Sequence, residues 1–392
     1  MTMTAETRPA HSPLGASGAE RWMNCPGSIA LLRRLTIDEG NDGEDYQKLG
    51  THAHALIAKA LNDEAAPDAW EFVGQEIEGI VVAPATSNAV QVYLDEIHKL
   101  LASVQTEGDV QFFVEYPISS PVHKDFYGTL DNAIIAGNTA YINDYKHGEG
   151  IAVDVEYNPQ VRYYGWGLVQ NHPEIERVVY RIVQPRHFLP DKVKVWEESA
   201  DDLRAWVRDE LVPAMLATEV DGTLDAGPWC RFCPAKLVCP LLTSLFKAAA
   251  TANPKEIVNL SDESIGRSYQ YVQAVKFYLA AMEKDAFRRL NSGREVEGIK
   301  LVHKKANRVW KTGAEQRFKD EVGAEAFTTP ELKSPAQMEE LAAAKPLVNE
   351  WSYTPESGLT VALADDKRVG VKPQPMADTF KAAVAALTSP TE

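Results

Sequence analysis

The chain has 392 residues, 45% of them apolar and 24% charged, a globular composition that excludes disorder and fibrous structure. No apolar run approaches the roughly 18 residues of a membrane span, and Met1 to Gly18 lacks the apolar stretch of a secretory signal, so the sequence reads as a soluble, cytoplasmic protein of two or three domains. The net charge is −16; residues 251–392 hold 20 Lys+Arg and 20 Asp+Glu, so all of it falls on residues 1–250, which excludes a broad basic surface and permits a narrow site of metal-binding carboxylates.

Residues 1–16, rich in Thr, Ala, Pro, Ser and Gly, read as a flexible tail. Ser17 reads as the N-cap of a short helix through Trp22 to Cys25, closed by Pro26-Gly27. Residues 37–45 form an acidic Gly-containing loop. Helices are predicted over 51–61 and 89–104, the latter from Val90, Tyr93, Ile97, Leu100 and Leu101 at helical spacing. Strands follow at 110–116, 127–136 and 139–146, then a helix at 158–169, a strand at 177–184 and a helix at 200–217. This order predicts an α/β core with a mixed sheet flanked by helices over 17–250. A cysteine segment at 230–239 and a long helix at 262–291 come next, and residues 251–392 read as a helical and α+β extension.

Gly137-Asn138 between two strand-like runs is a two-residue hairpin signal. In that register Ala136 faces Thr139, Asp131 lies opposite Asp144, and Lys146 shares the face with Asp144. The rest of the face, Ala133, Ile135, Ala140 and Ile142, is apolar. Two carboxylates side by side at the edge of a core need a cation. A structural ion pair with Lys146 supplies one answer and a bound metal ion the other.

Gly128-Thr129-Leu130-Asp131 followed by Asp144-Tyr145-Lys146 resembles the G-x-x-D and (D/E)-x-K motifs of the PD-(D/E)XK nuclease superfamily. Gly50-Thr51-His52-Ala53-His54 resembles the G-T-x-x-H motif of its RecB-like branch, and Gln160 with Tyr164 matches that branch's Q-x-x-x-Y. The four motifs occur in the family's order over residues 50–164. The resemblance implies a restriction-endonuclease-like core in which His54, Asp131, Asp144 and the Tyr145 carbonyl hold Mg²⁺ or Mn²⁺. Lys146 would orient the attacking water, with Gln160 and Tyr164 positioning the site or the DNA backbone. His52 is the rival to His54. Glu115 reads as a solvated or ion-paired strand residue, with a further acid near the metal as the lesser alternative.

The four cysteines are Cys25 and the segment Cys230-x2-Cys233-x5-Cys239, whose spacing lets sulfurs converge on one ion or cluster. Zinc competes with an iron–sulfur cluster here. One N-terminal cysteine plus a C-x2-C-x5-C segment flanking the nuclease motifs resembles AddB-type and CRISPR-associated RecB-like nucleases, which implies a [4Fe-4S] cluster held by Cys25, Cys230, Cys233 and Cys239 as a structural staple. The stretch from Ser17 to Ser28, with Gln184-Pro185-Arg186 and Asp366-Lys367-Arg368, also resembles an uncharacterised family of phages and prophages.

The resemblance implies a metal-dependent deoxyribonuclease, a phage-type exonuclease working on double-stranded ends, with a single-strand annealing protein as partner. The alternatives are a catalytically silent DNA-binding or scaffold protein of a phage recombination system, and a zinc-stapled DNA-binding protein. Outside the motifs, residues 298–313 carry Lys300, His303, Lys304, Lys305, Arg308, Trp310 and Lys311 with no acid. A solvated strand face is the plainer reading and phosphate tracking with base stacking the other. Arg186 is a further candidate for a phosphate contact. Trp22, Trp166, Trp206 and Trp229 read as packing residues.

Overall fold

The structure is a computed structural model. It describes residues 11–34, 44–105, 109–187, 191–220, 222–251, 261–269, 271–305, 308–328, 331–338, 345–353, 358–363 and 369–372. Residues 1–10 of the expected tail, most of the acidic loop, Asp366-Lys367-Arg368 and residues 373–392 lie outside the described residues. The chain divides into two compact units, Met1–Phe277 and Tyr278–Glu392.

The first unit is built on a five-stranded mixed sheet in the order β1 (Val110–Ser119), β2 (Tyr127–Ala136), β3 (Thr139–Tyr145), β4 (Arg177–Val183), β5 (Val193–Ser199). All neighbouring pairs are antiparallel except β3 with β4. Gly137 takes φ +55° in the turn, a conformation open to glycine, and β2 pairs β3 in the register that turn implies, Ala136 facing Thr139 and Asn132 facing Asn143. The parallel pair needs a crossover, and α5 (Pro159–Val169) supplies it.

Both faces of the sheet are covered. On one, Ala133, Ile135, Ala140, Ile142, Val178 and Tyr180 pack against α5, against Leu203 and Trp206 of α6 (Ala200–Trp206), and against Trp22 of α1 (Ala19–Asn24). On the other, Tyr145 and Val183 meet Leu56 and Ile57 of α3 (Glu44–Leu61) and Tyr93, Leu94 and Ile97 of α4 (Pro84–Val104). α2 (Gly27–Arg34) lies between α1 and α3 in the chain. Each such buried aliphatic side chain stabilises the fold by roughly 1.5–3 kcal/mol.

The sequence expectations differ from the fold in several places. Ser17 lies in a 3₁₀ turn, Ala16–Gly18, and Gly18 precedes α1 without a side-chain cap. The expected 200–217 helix passes through a π turn at Val207–Leu211 before α7 (Val212–Ala217), because Pro213 has no N–H to give the Asp209 carbonyl. The expected 262–291 helix is two helices, Asp262–Tyr269 and Val272–Asn291. Strand β5 and α8 (Pro240–Thr251) have no counterpart in the sequence reading. β5 is a half-exposed edge strand whose pattern, Val-Lys-Val-Trp-Glu-Glu-Ser, carries no continuous apolar run.

The second unit is α+β. Ile299–His303 pairs antiparallel with Leu359–Leu363, and Val309–Trp310 with Ser352–Tyr353. Its core holds Phe318, Met338, Leu347 and Val348, with Trp310 packed against it. The Trp310 ring sits 4.6 Å from the Phe318 ring and its Nε1–H donates to the Lys333 carbonyl at 3.0 Å, so this indole packs in a core rather than waiting for a base. Among the described residues no helix is long and apolar enough to cross a membrane.

Candidate active site

The parallel pairing of β3 with β4 sets Tyr145 beside Val183, so 144–147 and 184–187 leave the sheet side by side. Carboxyl ends of parallel strands are where open α/β sheets present ligand-binding groups. Helix α5 is held close against this end. A Cβ on Gly165 would lie 2.9 Å from the Tyr180 ring, and one on Gly167 only 2.6 Å from Ile118. The helix starts sharply: the Asn158 carboxamide oxygen accepts the Gln160 N–H at 2.9 Å, and Pro159 occupies the first turn. Those features bring Gln160 and Tyr164, one turn apart, to the strand ends.

Two groups of side chains meet there. In the first, ligand atoms of His54 (α3), Glu115 (β1) and Asp131 (β2) all lie within 4.8 Å of one another. His54 Nδ1 is 3.5 Å from Asp131 Oδ2, and that oxygen accepts the Tyr145 N–H at 2.9 Å. The Asp131 carboxylate is therefore fixed by the strand carrying Asp144. Two carboxylates and an imidazole with half-buried side chains suit a divalent cation. Burial, then the Asp131 charge, raises the Glu115 carboxyl from its ordinary 4.5 to about 6, with His54 offsetting part. That is the charge crowding a cation would relieve.

Of the two sequence readings of Glu115, the structure supports the lesser one: the residue is exposed overall, yet its carboxylate stands with His54 and Asp131. It sits at φ +47°, a left-handed conformation rare for glutamate, and the β1–β2 pairing skips from Val114–Asn132 to Tyr116–Leu130 around it. Backbone strain of this kind costs about 1–3 kcal/mol and clusters at functional sites. An isolated Glu within a hydrophobic strand run was the only signal available in sequence, and the left-handed turn has none.

The second group is a hydrogen-bonded chain. Asp144, 1% exposed, lies 2.9 Å from the Lys146 ammonium. Lys146 Nζ also donates to Gln160 Oε1 at 2.8 Å, while Gln160 Nε2 donates to Asp144 Oδ1 at 3.1 Å and to the Tyr164 hydroxyl at 3.4 Å. An ammonium only donates and a carboxylate only accepts, so the amide has one workable orientation. Burial raises the Asp144 carboxyl, and Lys146 pulls it back. Burial, then the Asp131 and Asp144 charges, holds the Tyr164 phenol well above its ordinary range.

Thus the structure brings His54, Asp131, Asp144, Lys146, Gln160 and Tyr164 to one end of the sheet, with Asp144 turned to Lys146 rather than into the His54 group. The Tyr145 ring is buried beneath, 5.6 Å from the His54 ring and 5.4 Å from Tyr93. His52 points elsewhere: it is fully buried, with Nδ1 2.9 Å from the Ile77 carbonyl oxygen.

Two further residues, absent from the motifs, continue this end of the sheet. The Tyr145 hydroxyl lies 2.9 Å from His147 Nδ1, and Arg186 Nη1 lies 2.6 Å from His147 Nε2. A guanidinium has only donors, so Nε2 accepts and Nδ1 carries the hydrogen, donating it to the Tyr145 oxygen. Burial, then Arg186, lowers the His147 imidazole to about 4.

The four cysteines are all buried. Chain entry and the later segment are tied together there: Gly27 N–H donates to the Thr223 carbonyl at 3.0 Å, and Asp225 N–H to Cys25 Sγ at 3.3 Å. Burial raises the Cys25, Cys230 and Cys233 thiols, Cys230 to about 11, and the sulfurs add to one another's shifts. The half-buried Arg21 guanidinium donates to Ser28 Oγ at 2.8 Å and lies near enough to Cys233 and Cys25 to interact with them electrostatically. The four thiols thus lie near enough to one another to share their electrostatics. Trp22 and Trp206 are core residues, Trp166 donates to Ser120 Oγ, and Trp229 donates to the Asp225 carbonyl beside Cys25.

Two solved structures resemble part of the chain. One is a crystal structure of LHK-Exo in complex with dAMP, 15% identical, covering 44% of this chain and 90% of that one at a TM-score of 0.22. The other is a crystal structure of SSO0001, also 15% identical, covering 52% and 98% at 0.23. Likenesses this loose say nothing about the chemistry of either chain. The family is another matter: its model matches residues 11–369, and the chain belongs to the family described as Protein of unknown function (DUF2800).

Proposed function

We propose that this chain is a metal-dependent deoxyribonuclease of the RecB-like PD-(D/E)XK type. The observation that carries the reading is the juxtaposition of a three-ligand group, His54, Glu115 and Asp131, with the Lys146–Asp144–Gln160 chain. Mg²⁺ or Mn²⁺ supplies, when bound, a more acidic water and neutralisation of phosphate charge. His54, Glu115 and Asp131 would hold the ion, and Asp144, which Lys146 holds in this structure, would join them with the Tyr145 carbonyl on turning toward it. Lys146, steadied by Gln160, orients the attacking water and stabilises charge on the phosphate. Tyr164 braces Gln160.

An exonuclease acting on double-stranded DNA ends, in a phage recombination system with a single-strand annealing partner, is the specific form of this proposal; its setting is the cytoplasm. At the four cysteines the proposal is a [4Fe-4S] staple, with zinc as the alternative. The test is incubation of purified protein with linear and with covalently closed circular DNA, with and without Mn²⁺, beside Asp131→Asn. Mn²⁺-dependent loss of the linear DNA that Asp131→Asn abolishes supports the reading. Wild-type protein that cuts neither DNA rejects it and leaves the silent DNA-binding alternative.

A further inference from the structure

The segment after Lys146 and the segment after β4 are built into one surface. Gln184 fastens them: its Nε2 donates to the Gly148 and Ile151 carbonyls at 2.8 and 2.7 Å, and its Oε1 accepts the Val153 N–H at 3.1 Å. Arg186 extends over this tethered loop. One side of its guanidinium is fixed by His147 Nε2 and the other pairs with the Glu149 carboxylate. His54, Tyr145 and His147 form a row of rings, 5.6 and 5.9 Å between neighbours, that runs from the metal group to Arg186.

The two partners of Arg186 differ in kind. His147 is buried and its Nε2 accepts from the guanidinium, so it holds the guanidinium without neutralising it. Glu149 is more than half exposed, at 56% of its side chain, and stands between Gly148 and Gly150. A carboxylate in that position occupies the guanidinium fork as a phosphate would, and its exposed side chain can turn away into solvent.

We infer that Arg186, aimed by His147, is a phosphate-binding residue beside the metal group, and that Glu149 covers it until a nucleic-acid phosphate displaces the carboxylate. This rests on the nuclease reading for its substrate, and it adds a binding residue, a positioning residue and a competing acid. The phosphate is either a terminal monoester or an internal diester of the DNA strand.

The test is DNA affinity of the full chain, by fluorescence anisotropy in Ca²⁺, using a short blunt duplex with a 5′ phosphate and the same duplex with a 5′ hydroxyl. Arg186→Gln is expected to weaken binding about tenfold or more, the scale of a charge-assisted pair. Glu149→Gln is expected to tighten it about threefold, and the double variant to bind as Arg186→Gln does, since the acid acts only through the arginine. Loss confined to the phosphorylated duplex assigns a terminal phosphate, and equal loss on both assigns an internal one. Arg186→Gln binding as wild type, or Glu149→Gln binding more weakly than wild type, overturns the inference. Glu149→Gln changes an exposed side chain and reads the proposal independently of any folding defect at Arg186. Mn²⁺-dependent cutting by wild type with an unchanged KM in Arg186→Gln rejects this subsite and leaves the nuclease. Arg186-dependent binding without any cutting rejects the nuclease and leaves the subsite.

Discussion

The carboxylate group and the cysteine group are built on opposite plans. His54, Glu115 and Asp131 come from α3, β1 and β2, keep part of their surface open, and crowd negative charge that only one imidazole offsets. The four thiols come from the two ends of the first unit's fold and are closed off, each less than 10% exposed. Structural metal sites are closed and catalytic ones keep a position open. Under the proposed function the open group admits a substrate and the closed one fastens the chain, and the contrast in exposure is what supports that division.

The largest expected effect lies on the open side. Asp131→Asn removes a charged ligand and is expected to reduce Mn²⁺-dependent cleavage on the order of 10³-fold or more, read as kcat. Lys146→Ala should reduce kcat comparably while Mn²⁺ still raises the melting temperature, because Lys146 acts on water and phosphate. The same variant tests the ion pair. Without metal it leaves Asp144, 1% exposed, beside Gln160 alone, and about 3 kcal/mol of stability should be lost. If saturating Mn²⁺ restores none of that loss, Asp144 serves the fold and not the metal.

On the closed side, the proposed staple predicts that Cys25→Ala lowers the melting temperature by roughly 10 °C, since it would open a link spanning most of the first unit. Anaerobically purified wild type is expected to be brown, with about four irons and four sulfides per chain. Colourless protein with one zinc per chain would keep the staple and change its metal. A melting temperature unmoved by Cys25→Ala would break the comparison, because the thiols would then hold nothing together.

A smaller effect is expected where α5 meets the sheet. Gly167→Ala puts a methyl 2.6 Å from Ile118 and should displace the helix that carries Gln160 and Tyr164. About 1–3 kcal/mol of overpacking strain follows, with kcat lowered. Unchanged stability with unchanged kcat would show that the helix has room to spare.

How much of this was legible in sequence follows from what each feature depends on. The β2–β3 register was readable because a two-residue Gly-Asn turn and the alternation of Ala133, Ile135, Ala140 and Ile142 are both local. His54, Asp131, Asp144, Lys146, Gln160 and Tyr164 were nameable because the motifs space them along single elements. Glu115 as an acid near the metal was the lesser reading because its place depends on a left-handed residue in a strand, which no residue type announces. At 298–313 the sequence left Trp310 between a solvated strand face and base stacking, since a half-buried indole against a small core and an exposed one on a strand have the same local sequence. The row from Tyr145 through His147 to Arg186 joins residues about 40 apart across a parallel pair, so no window shows it.

The smallest expected effect turns on Glu115 itself. In the folded chain its carboxyl holds a proton up to about pH 6, whereas the unfolded chain releases it near its ordinary 4.5. Between those values the folded state binds more protons, so metal-free stability falls as pH rises through the window and stays lowered above it. Glu115→Gln has nothing to titrate. The difference in melting temperature between variant and wild type should therefore grow in the variant's favour from pH 4.5 to 6, reaching about 2 °C at neutral pH without metal. Saturating Mn²⁺ should reverse the order, because wild type then has one more charged ligand for the ion. The two halves test different things. A flat difference across the window says that burial and Asp131 do not raise the Glu115 carboxyl, while a growing difference that Mn²⁺ fails to reverse says that they do but that Glu115 holds no ion.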